Sequence, residues 1–434
     1  MPEVTRGRRI ALEVLRSVSR GRRLDRALAI AFSSHLGRER KWVHEVSYGV
    51  TRLRGRLDYL LDLHLRKGGS SLSSLVLDLL RLGAYQILYM EGVPSYAALS
   101  QTVAQVREVG GDGGARLANG VLRSLEREGG SERRFPSFET DPLSHLTTWG
   151  SHPRWLARRW LARWGPEEVL ELTRWNNRPA PLFFRPLGLP PSQAVELIKE
   201  EGWTVSEVGE GLPCLLVEGG INPAILLQSF RGIVQDPGAA LVTIYADPPE
   251  GDWIADLCAA PGGKTLALAE RGAYVLAADA AISRLKLLRE NVARVGSEVA
   301  IVAAAAQKPP VREAPFVLLD VPCSGTGTLR RHPDARWRME PATMSRLADL
   351  QAEILDAGAK IVAPGGHLVY ATCTLEPEEN EAQVETFLLR HPEFRVEETG
   401  VVDPQYLDDE GRLYVLPQRS GFDGAFGARM RRRP

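Results

Sequence analysis

Five short apolar runs recur through the second half of the chain: Trp253–Leu257, Tyr274–Ala278, Val299–Ala303, Phe316–Leu319 and His367–Tyr370. Helices are predicted at 263–270, 283–294 and 343–361, between most of them. A run that is apolar throughout, rather than alternating with polar residues, suits a strand buried on both faces. Parallel strands joined by helical crossovers bury strands in that way. From about residue 239 onward the pattern therefore restricts the fold to an α/β, Rossmann-like, largely parallel and doubly wound sheet. In such sheets ligands sit beyond the carboxyl ends of the strands. The residues that follow each run are thus the ones to read for chemistry.

After the first run comes Asp256-Leu257-Cys258-Ala259-Ala260-Pro261-Gly262-Gly263-Lys264, a strand end turning through glycines into a helix. Glycines there let backbone approach a ligand, and the opening of a helix offers free N–H groups to a carboxylate or phosphate. The turn is neither G-x-G-x-x-G nor G-x-x-x-x-G-K-[ST], so a dinucleotide or a P-loop nucleotide is not the obvious ligand. Asp279 ends the second run, where a carboxylate either caps a helix or accepts the ribose hydroxyls of an adenosine-type cofactor. Next to the Gly-rich turn, the second reading is preferred. The fourth run leads into Asp320-Val321-Pro322-Cys323 and the fifth into Ala371-Thr372-Cys373. A thiol is a strong nucleophile only as thiolate, and a lone cysteine is usually a small buried hydrophobe, as Cys214 is read here. Two thiols at strand ends, one beside Asp320, point instead to covalent catalysis. Arg330, Arg331, Arg336 and Arg338 follow closely and are expected to meet backbone phosphates. The histidines, His332 and His367 among them, lack metal-ligand spacing, and no metal is inferred.

The 434 residues are too many for one ordinary core, and two or three domains are expected. Residues 6–128 read as helices. Ala11, Val14, Leu15 and Val18 keep helical spacing, as do Leu72, Leu75, Val76, Leu79 and Leu82, with Gly and Ser clusters at 67–74 and 110–114 as breaks. The formal charge is zero overall, but residues 1–185 hold 30 Lys+Arg against 19 Asp+Glu, or +11, and the remainder 24 against 35, or −11. A basic half suggests a polyanionic partner, although arginine in place of lysine is also what a GC-rich genome gives. Around Trp155, Trp160 and Trp164 a short basic helix is predicted, its tryptophans packing inward. Beyond it, short β-like runs at Leu182–Arg185 and Leu215–Glu218 flank a helix at 191–201, a small α+β piece. Four cysteines without a C-x-x-C pair argue against both a disulfide framework and a structural zinc site, and fit a reducing cytoplasm. No run is long enough for a membrane span.

D-x-C-A-A-P-G-G-K, then D-x-P-C-S-G-x-G, then A-T-C-T with Glu379-Asn380-Glu381 after it resemble the S-adenosylmethionine-dependent RNA cytosine-5 methyltransferases. Arg9-Ile10-Ala11, Tyr48-Gly49-Val50-Thr51-Arg52, Gly83-Ala84-Tyr85-Gln86-Ile87-Leu88-Tyr89 and Asn119-Gly120-Val121-Leu122-Arg123 resemble the NusB-like RNA-binding domain. The two together are similar to the bacterial 16S rRNA methyltransferases of the Sun/Fmu (RsmB) type. The resemblance implies a NusB-like domain over 1–135, a helical linker with a small α+β subdomain over 136–236, and the catalytic domain over 237–434. It implies that Cys373 attacks carbon 6 of the target cytosine, that Asp320 holds the ring near N3 and stabilises the adduct, and that Cys323 helps remove the carbon-5 proton and release the product. The DNA enzymes use the Pro-Cys thiol as nucleophile, so the presence of Cys373 favours the RNA family. S-adenosylmethionine would be held by Cys258, Ala259, Ala260, Pro261, Gly262, Gly263 and Lys264, with Asp279 at its ribose and Arg284 and Asp320 nearby. The implied partner is 16S rRNA or a small-subunit assembly intermediate, bound by a monomer without an obligate protein partner. A tRNA or large-subunit rRNA cytosine, and a non-catalytic assembly factor, are the rival readings. Two departures stand out. Ala304-Ala305-Ala306-Gln307 puts Ala305 where the family carries a carboxylate for the adenine amino group. Arg185-Pro186-Leu187 replaces the usual Arg-x-Asn, with Leu187 for Asn.

Overall fold

The computed structural model describes residues 4–34, 37 and 39–434. The chain forms two compact units, one of residues 1–178 with 329–338, the other of 179–328 with 339–434.

The first unit is helical. Helix Arg6–Ser19 turns Ile10, Ala11, Val14 and Leu15 inward, as the spacing predicts. Helix Ser74–Tyr89 begins at Ser73, whose hydroxyl accepts the Val76 amide and so satisfies one orphan N–H of the first turn. Its Gly83 has helix Ser95–Glu128 so close that a Cβ would sit 2.8 Å from the Thr102 side chain. The glycine cluster at 110–114 was expected to separate two helices. It does so: within Ser95–Glu128 the helical backbone is broken at Gly111, whose φ of 64° few other residues adopt, and two helices meet there at a kink. In helix Arg154–Trp164, Trp160 is buried and Arg154 and Arg158 are exposed, the inward packing the sequence suggests.

Residues Leu329–Arg338 belong to this helical unit, and here the structure corrects an expectation. Arg336, taken as a phosphate contact, is fully buried. Its guanidinium donates to Ser151 O (3.0 Å), Asn177 Oδ1 (2.8 Å), Asn176 O (3.1 Å) and Leu329 O (3.3 Å). Five N–H donors in a rigid fork suit such a cluster of carbonyls better than any other side chain. Arg338 pairs with Asp334 at 3.0 Å, and Arg330 lies over the Trp175 ring. Trp337 donates to Thr51 O at 2.8 Å. Arg336 is thus a structural residue of the helical unit.

The second unit opens with a small antiparallel sheet of β1 (Leu182–Pro186), β2 (Val205–Glu207), β3 (Leu215–Val217) and β4 (Gly232–Val234), in the order β2-β3-β1-β4. Arg185 is buried on Gln235 Oε1 and Thr243 Oγ1, both at 3.0 Å, and Leu187 is core packed with Ile233, Leu266 and Val295.

The main sheet holds β5 (Trp253–Asp256), β6 (Tyr274–Asp279), β7 (Val299–Ala303), β8 (Ala314–Asp320), β9 (Val362–Thr372), β10 (Phe394–Val396), β11 (Leu413–Val415) and β12 (Ala425–Arg432). Its order is β10-β12-β9-β8-β5-β6-β7, with β11 paired to β12. β5 to β9 run parallel, and helices Gly263–Ala269, Ile282–Val295 and Pro341–Ile361 connect them. The three last strands are antiparallel additions that the apolar-run criterion misses. No helix among the described residues is long and apolar enough to cross a membrane.

Candidate active site

Strand order reverses between β5 and β8, so the crevice beyond their carboxyl ends is the topological switch point of the sheet. Asp256 ends β5 and Asp320 ends β8. β9 lies beside β8 with Asp320 opposite Ala371, and the ladder continues through Val321 N to Ala371 O at 3.0 Å. Pairing in that register delivers both thiols to one place. The sulfurs of Cys323 and Cys373 are 3.4 Å apart, and the Cys373 amide donates to Cys323 Sγ at 3.4 Å. Cys323 is held protonated: its bond to Cys373, burial, the charge of Cys373 and that of Glu379 all push its pKa well above the ordinary range.

Lys264, from the turn after β5, reaches Asp320 Oδ2 at 2.6 Å. Burial opposes its charge, but the Asp320 carboxylate more than restores it, and the net shift of the ammonium is upward. Among the described residues Asp320 Oδ1 takes no protein donor, so one oxygen faces the crevice for a ligand while the other is fixed by Lys264. Cys258 differs from the pair. Burial and the carboxylates of Asp256, Asp320 and Asp279 raise its thiol strongly, which leaves it a packing residue on the crevice wall. Cys214 lies far from the chemistry, buried and pushed up to about 12 by burial.

The Gly-rich turn fits a cofactor on three observations. Gly262 sits at φ 104°, where a side chain would strike Leu288. A Cβ on Gly263 would meet nothing closer than Gln235 Nε2 at 3.5 Å, so its backbone is open to a ligand. Asp256 is buried, its Oδ2 takes the Thr265 hydroxyl at 2.7 Å, and its Oδ1 has no partner. Buried polar atoms are rarely left so. Asp279 receives Ala281 N at 2.8 Å, Ala260 N at 3.3 Å and Arg284 at 3.0 Å, which ties the Gly-rich turn to the end of β6. It is buried beneath that turn, while Arg284 is half exposed. Ala305 follows β7 and accepts from Lys308 N within a turn. A small cationic ligand group matches the unpartnered carboxylate oxygens of Asp256 and Asp320.

Behind the thiols lies a network that residue type alone does not reveal. Glu379 is fully buried and accepts Ser324 N at 2.8 Å, Gln351 Nε2 at 2.9 Å and the Thr374 hydroxyl at 3.3 Å. Thr374 Oγ1 also meets Ser324 Oγ (2.6 Å) and Thr326 Oγ1 (2.9 Å). The acidic run after A-T-C-T was its only trace in the sequence. No group of side chains suited to a metal occurs among the described residues.

A doubly wound sheet with a carboxylate-backed Gly-rich turn at its switch point is the architecture of the S-adenosylmethionine-dependent methyltransferases. The structure is similar over 98% of both chains to the crystal structure of PH0851, with TM-score 0.78 and 26% identity. Its fold also matches a methyltransferase homologue from Pyrococcus horikoshii over 68% of this chain and 99% of that one, with TM-score 0.56 and 24% identity. The family model for the 16S rRNA methyltransferase RsmB/F matches residues 243–431, and that for the NusB family matches 5–127. The probable ribosomal RNA small subunit methyltransferase B of Bacillus subtilis is 32% identical over 98% of both chains. The ribosomal RNA small subunit methyltransferase B of Vibrio cholerae is 32% identical over 95% of this chain and 94% of its own. The chain belongs to the RsmB/F methyltransferase family: a Rossmann-like catalytic domain, with S-adenosylmethionine as cofactor, preceded by a NusB-like helical domain and a small α+β piece.

Proposed function

We propose that this protein methylates carbon 5 of a specific cytosine in 16S rRNA through a covalent adduct with Cys373. The observation that carries the reading is the pair of sulfurs 3.4 Å apart at neighbouring strand ends, beside an Asp320 fixed by Lys264. A pyrimidine C5 is a poor nucleophile until a nucleophile has added at C6, and a thiolate is the natural donor of that bond.

The bound cofactor supplies an electrophilic methyl group. The protein does the rest. Asp320, with Oδ2 held by Lys264, presents Oδ1 beside N3 of a cytosine extruded from its stack, where it accepts from the neighbouring 4-amino group. Cys373 bonds to C6, and the electron pair of the 5,6 double bond moves to C5, which takes the methyl. A base then removes the C5 proton, the double bond re-forms, the sulfur–C6 bond breaks and the thiolate leaves. Cys323, hydrogen-bonded to Cys373, is placed to assist that last exchange. Cys258 through Lys264, Asp279 and Arg284 would hold the cofactor. With Ala305 in place of a carboxylate, one hydrogen bond to the adenine is absent, worth about 0.5–1.5 kcal/mol of affinity. The NusB-like unit would recruit the RNA, and the four free thiols suit a reducing cytoplasm.

Transfer of labelled methyl from S-adenosylmethionine to unmodified small-subunit rRNA, mapped to the nucleotide, tests this. The expected result is 5-methylcytosine at one position, lost in Cys373→Ala, with Cys323→Ala retaining RNA in a denaturation-resistant complex. Label on tRNA alone would overturn the substrate. Undiminished transfer by Cys373→Ala would overturn the nucleophile.

A further inference from the structure

Glu379 holds both cysteine loops at once. Cys323 is bracketed by Pro322 and Ser324: Ser324 N donates to Glu379 Oε2 at 2.8 Å, and Gln351 Nε2 donates both to Pro322 O and to the same Oε2, at 2.9 Å each. Cys373 is followed by Thr374, whose hydroxyl donates to Glu379 Oε1 at 3.3 Å. The two loops arrive from different strands, fifty residues apart in sequence, and one carboxylate takes a donor from each.

Three donors converge on two oxygens, which an ionised carboxylate accepts without conflict because it is acceptor-only. No cation pairs with Glu379 among the described residues; burial raises its pKa, and the hydrogen bonds from Ser324 and Gln351 oppose that rise. A buried carboxylate kept without a counterion is costly. Its position across both loops gives the reason for keeping it.

We infer that Glu379 is a positioning residue that sets the separation of the two thiols, so that Cys323 reaches the adduct formed on Cys373 and the product is released. It is fully buried behind the two loops and would act through them. The inference rests on the covalent reading above, and it divides the reaction: attack needs Cys373 alone, whereas release needs both sulfurs in register. Loosening the clamp therefore slows the second half more than the first.

The test uses the full-length protein, with two RNAs. Trapping on small-subunit rRNA carrying 5-fluorocytosine, whose C5 cannot lose a proton, reports attack. Turnover on ordinary rRNA, with the fraction of protein left in denaturation-resistant complex, reports release. Glu379→Ala is expected to trap at the wild-type rate within about threefold, to turn over at least about tenfold more slowly, and to accumulate complex on ordinary RNA as Cys323→Ala does. Glu379→Gln, which keeps an acceptor for Ser324 N and Gln351, is expected to recover most of the turnover. Should Glu379→Ala fail to fold, Gln351→Met removes the link to Pro322 and is expected to show the same split in milder form. Wild-type turnover in both Glu379→Ala and Gln351→Met overturns the inference. So does parallel loss of trapping, turnover and cofactor binding in a folded variant, because that is a merely structural role. Failure of the wild type itself to trap overturns the covalent reading instead.

Discussion

Asp256 shows what a single buried oxygen implies. Burial pushes its carboxyl up to about 7, with the Asp320 charge adding and the Thr265 hydroxyl, Lys264 and the Cys258 amide opposing. In an unfolded chain an aspartate titrates near about 3.9. The folded protein therefore binds the proton more tightly, and stability must fall as pH rises. Below about pH 4 both states are protonated and the residue costs nothing. Between about pH 4 and pH 7 the unfolded state ionises first, and above about 7 the cost is complete, on the order of 4 kcal/mol. Asp256→Asn removes the titration, so its unfolding midpoint in urea should match the wild type near about pH 3 and exceed it near about pH 8. A gain equal at both pH values would show that Oδ1 is not the origin. A cationic ligand group placed at Oδ1 draws the proton off, so cofactor binding near neutrality should release a proton in the wild type and none in Asp256→Asn. Calorimetry in two buffers of different ionisation enthalpy reads that difference. The sequence shows Cys323, Cys373 and Asp320 as candidates because thiols and a carboxylate at strand ends have few structural uses. It does not show Asp256 in this role, since an orphan oxygen is a property of the packed site and not of the residue type.

At the scale of elements, β5 through β9 are legible because strands buried on both faces write themselves as unbroken apolar runs. β12 is not read by that rule: Phe426, Ala428 and Met430 are separated by Gly427 and Arg429, which are buried too, and Arg429 and Arg431 reach Glu397. Period-two alternation was the available signal there. Residues 329–338 mislead for a different reason. Four arginines in ten residues look solvated or phosphate-bound, and only the folded chain shows that Arg336 answers carbonyls of residues 151, 176 and 329. Arg336→Met keeps the length and removes every donor. Four acceptors lose their partner, each worth about 1–3 kcal/mol when left unsatisfied, set against the relief of a buried charge. A net loss of about 3 kcal/mol or more is expected, seen as a lower thermal midpoint and as new protease cleavage within 329–338. Cofactor affinity should not change, because the carboxylates and the Gly-rich turn belong to the other unit. A stable variant that resists cleavage would restore the reading of Arg336 as a surface group.

Across the whole molecule the neutral total conceals a division that follows the compact units more sharply than the halves of the sequence. Residues 1–178 hold 29 Lys+Arg and 19 Asp+Glu, and 329–338 add 4 and 1, which gives 33 against 20, or +13. The remaining residues then hold 54 − 33 = 21 against 54 − 20 = 34, or −13. The ten-residue excursion thus carries basic charge out of the catalytic unit and into the helical one. An acidic catalytic unit suits a cationic cofactor and gives no general attraction for RNA, so the electrostatic share of RNA affinity falls to the helical unit. Binding that neutralises phosphates releases condensed counterions, and the logarithm of affinity falls by roughly 0.7–0.9 per phosphate for each decade of salt. Three neutralised phosphates would therefore weaken rRNA binding roughly 20- to 40-fold between about 50 and 200 mM salt. Cofactor binding, confined to the other unit, should change far less over the same range. Replacing exposed arginines of the helical unit such as Arg154 and Arg158 by glutamine should flatten the RNA slope and leave cofactor affinity unchanged, with filter binding and calorimetry as the two measurements. An RNA affinity indifferent to salt would mean that this +13 unit does not meet the phosphate backbone.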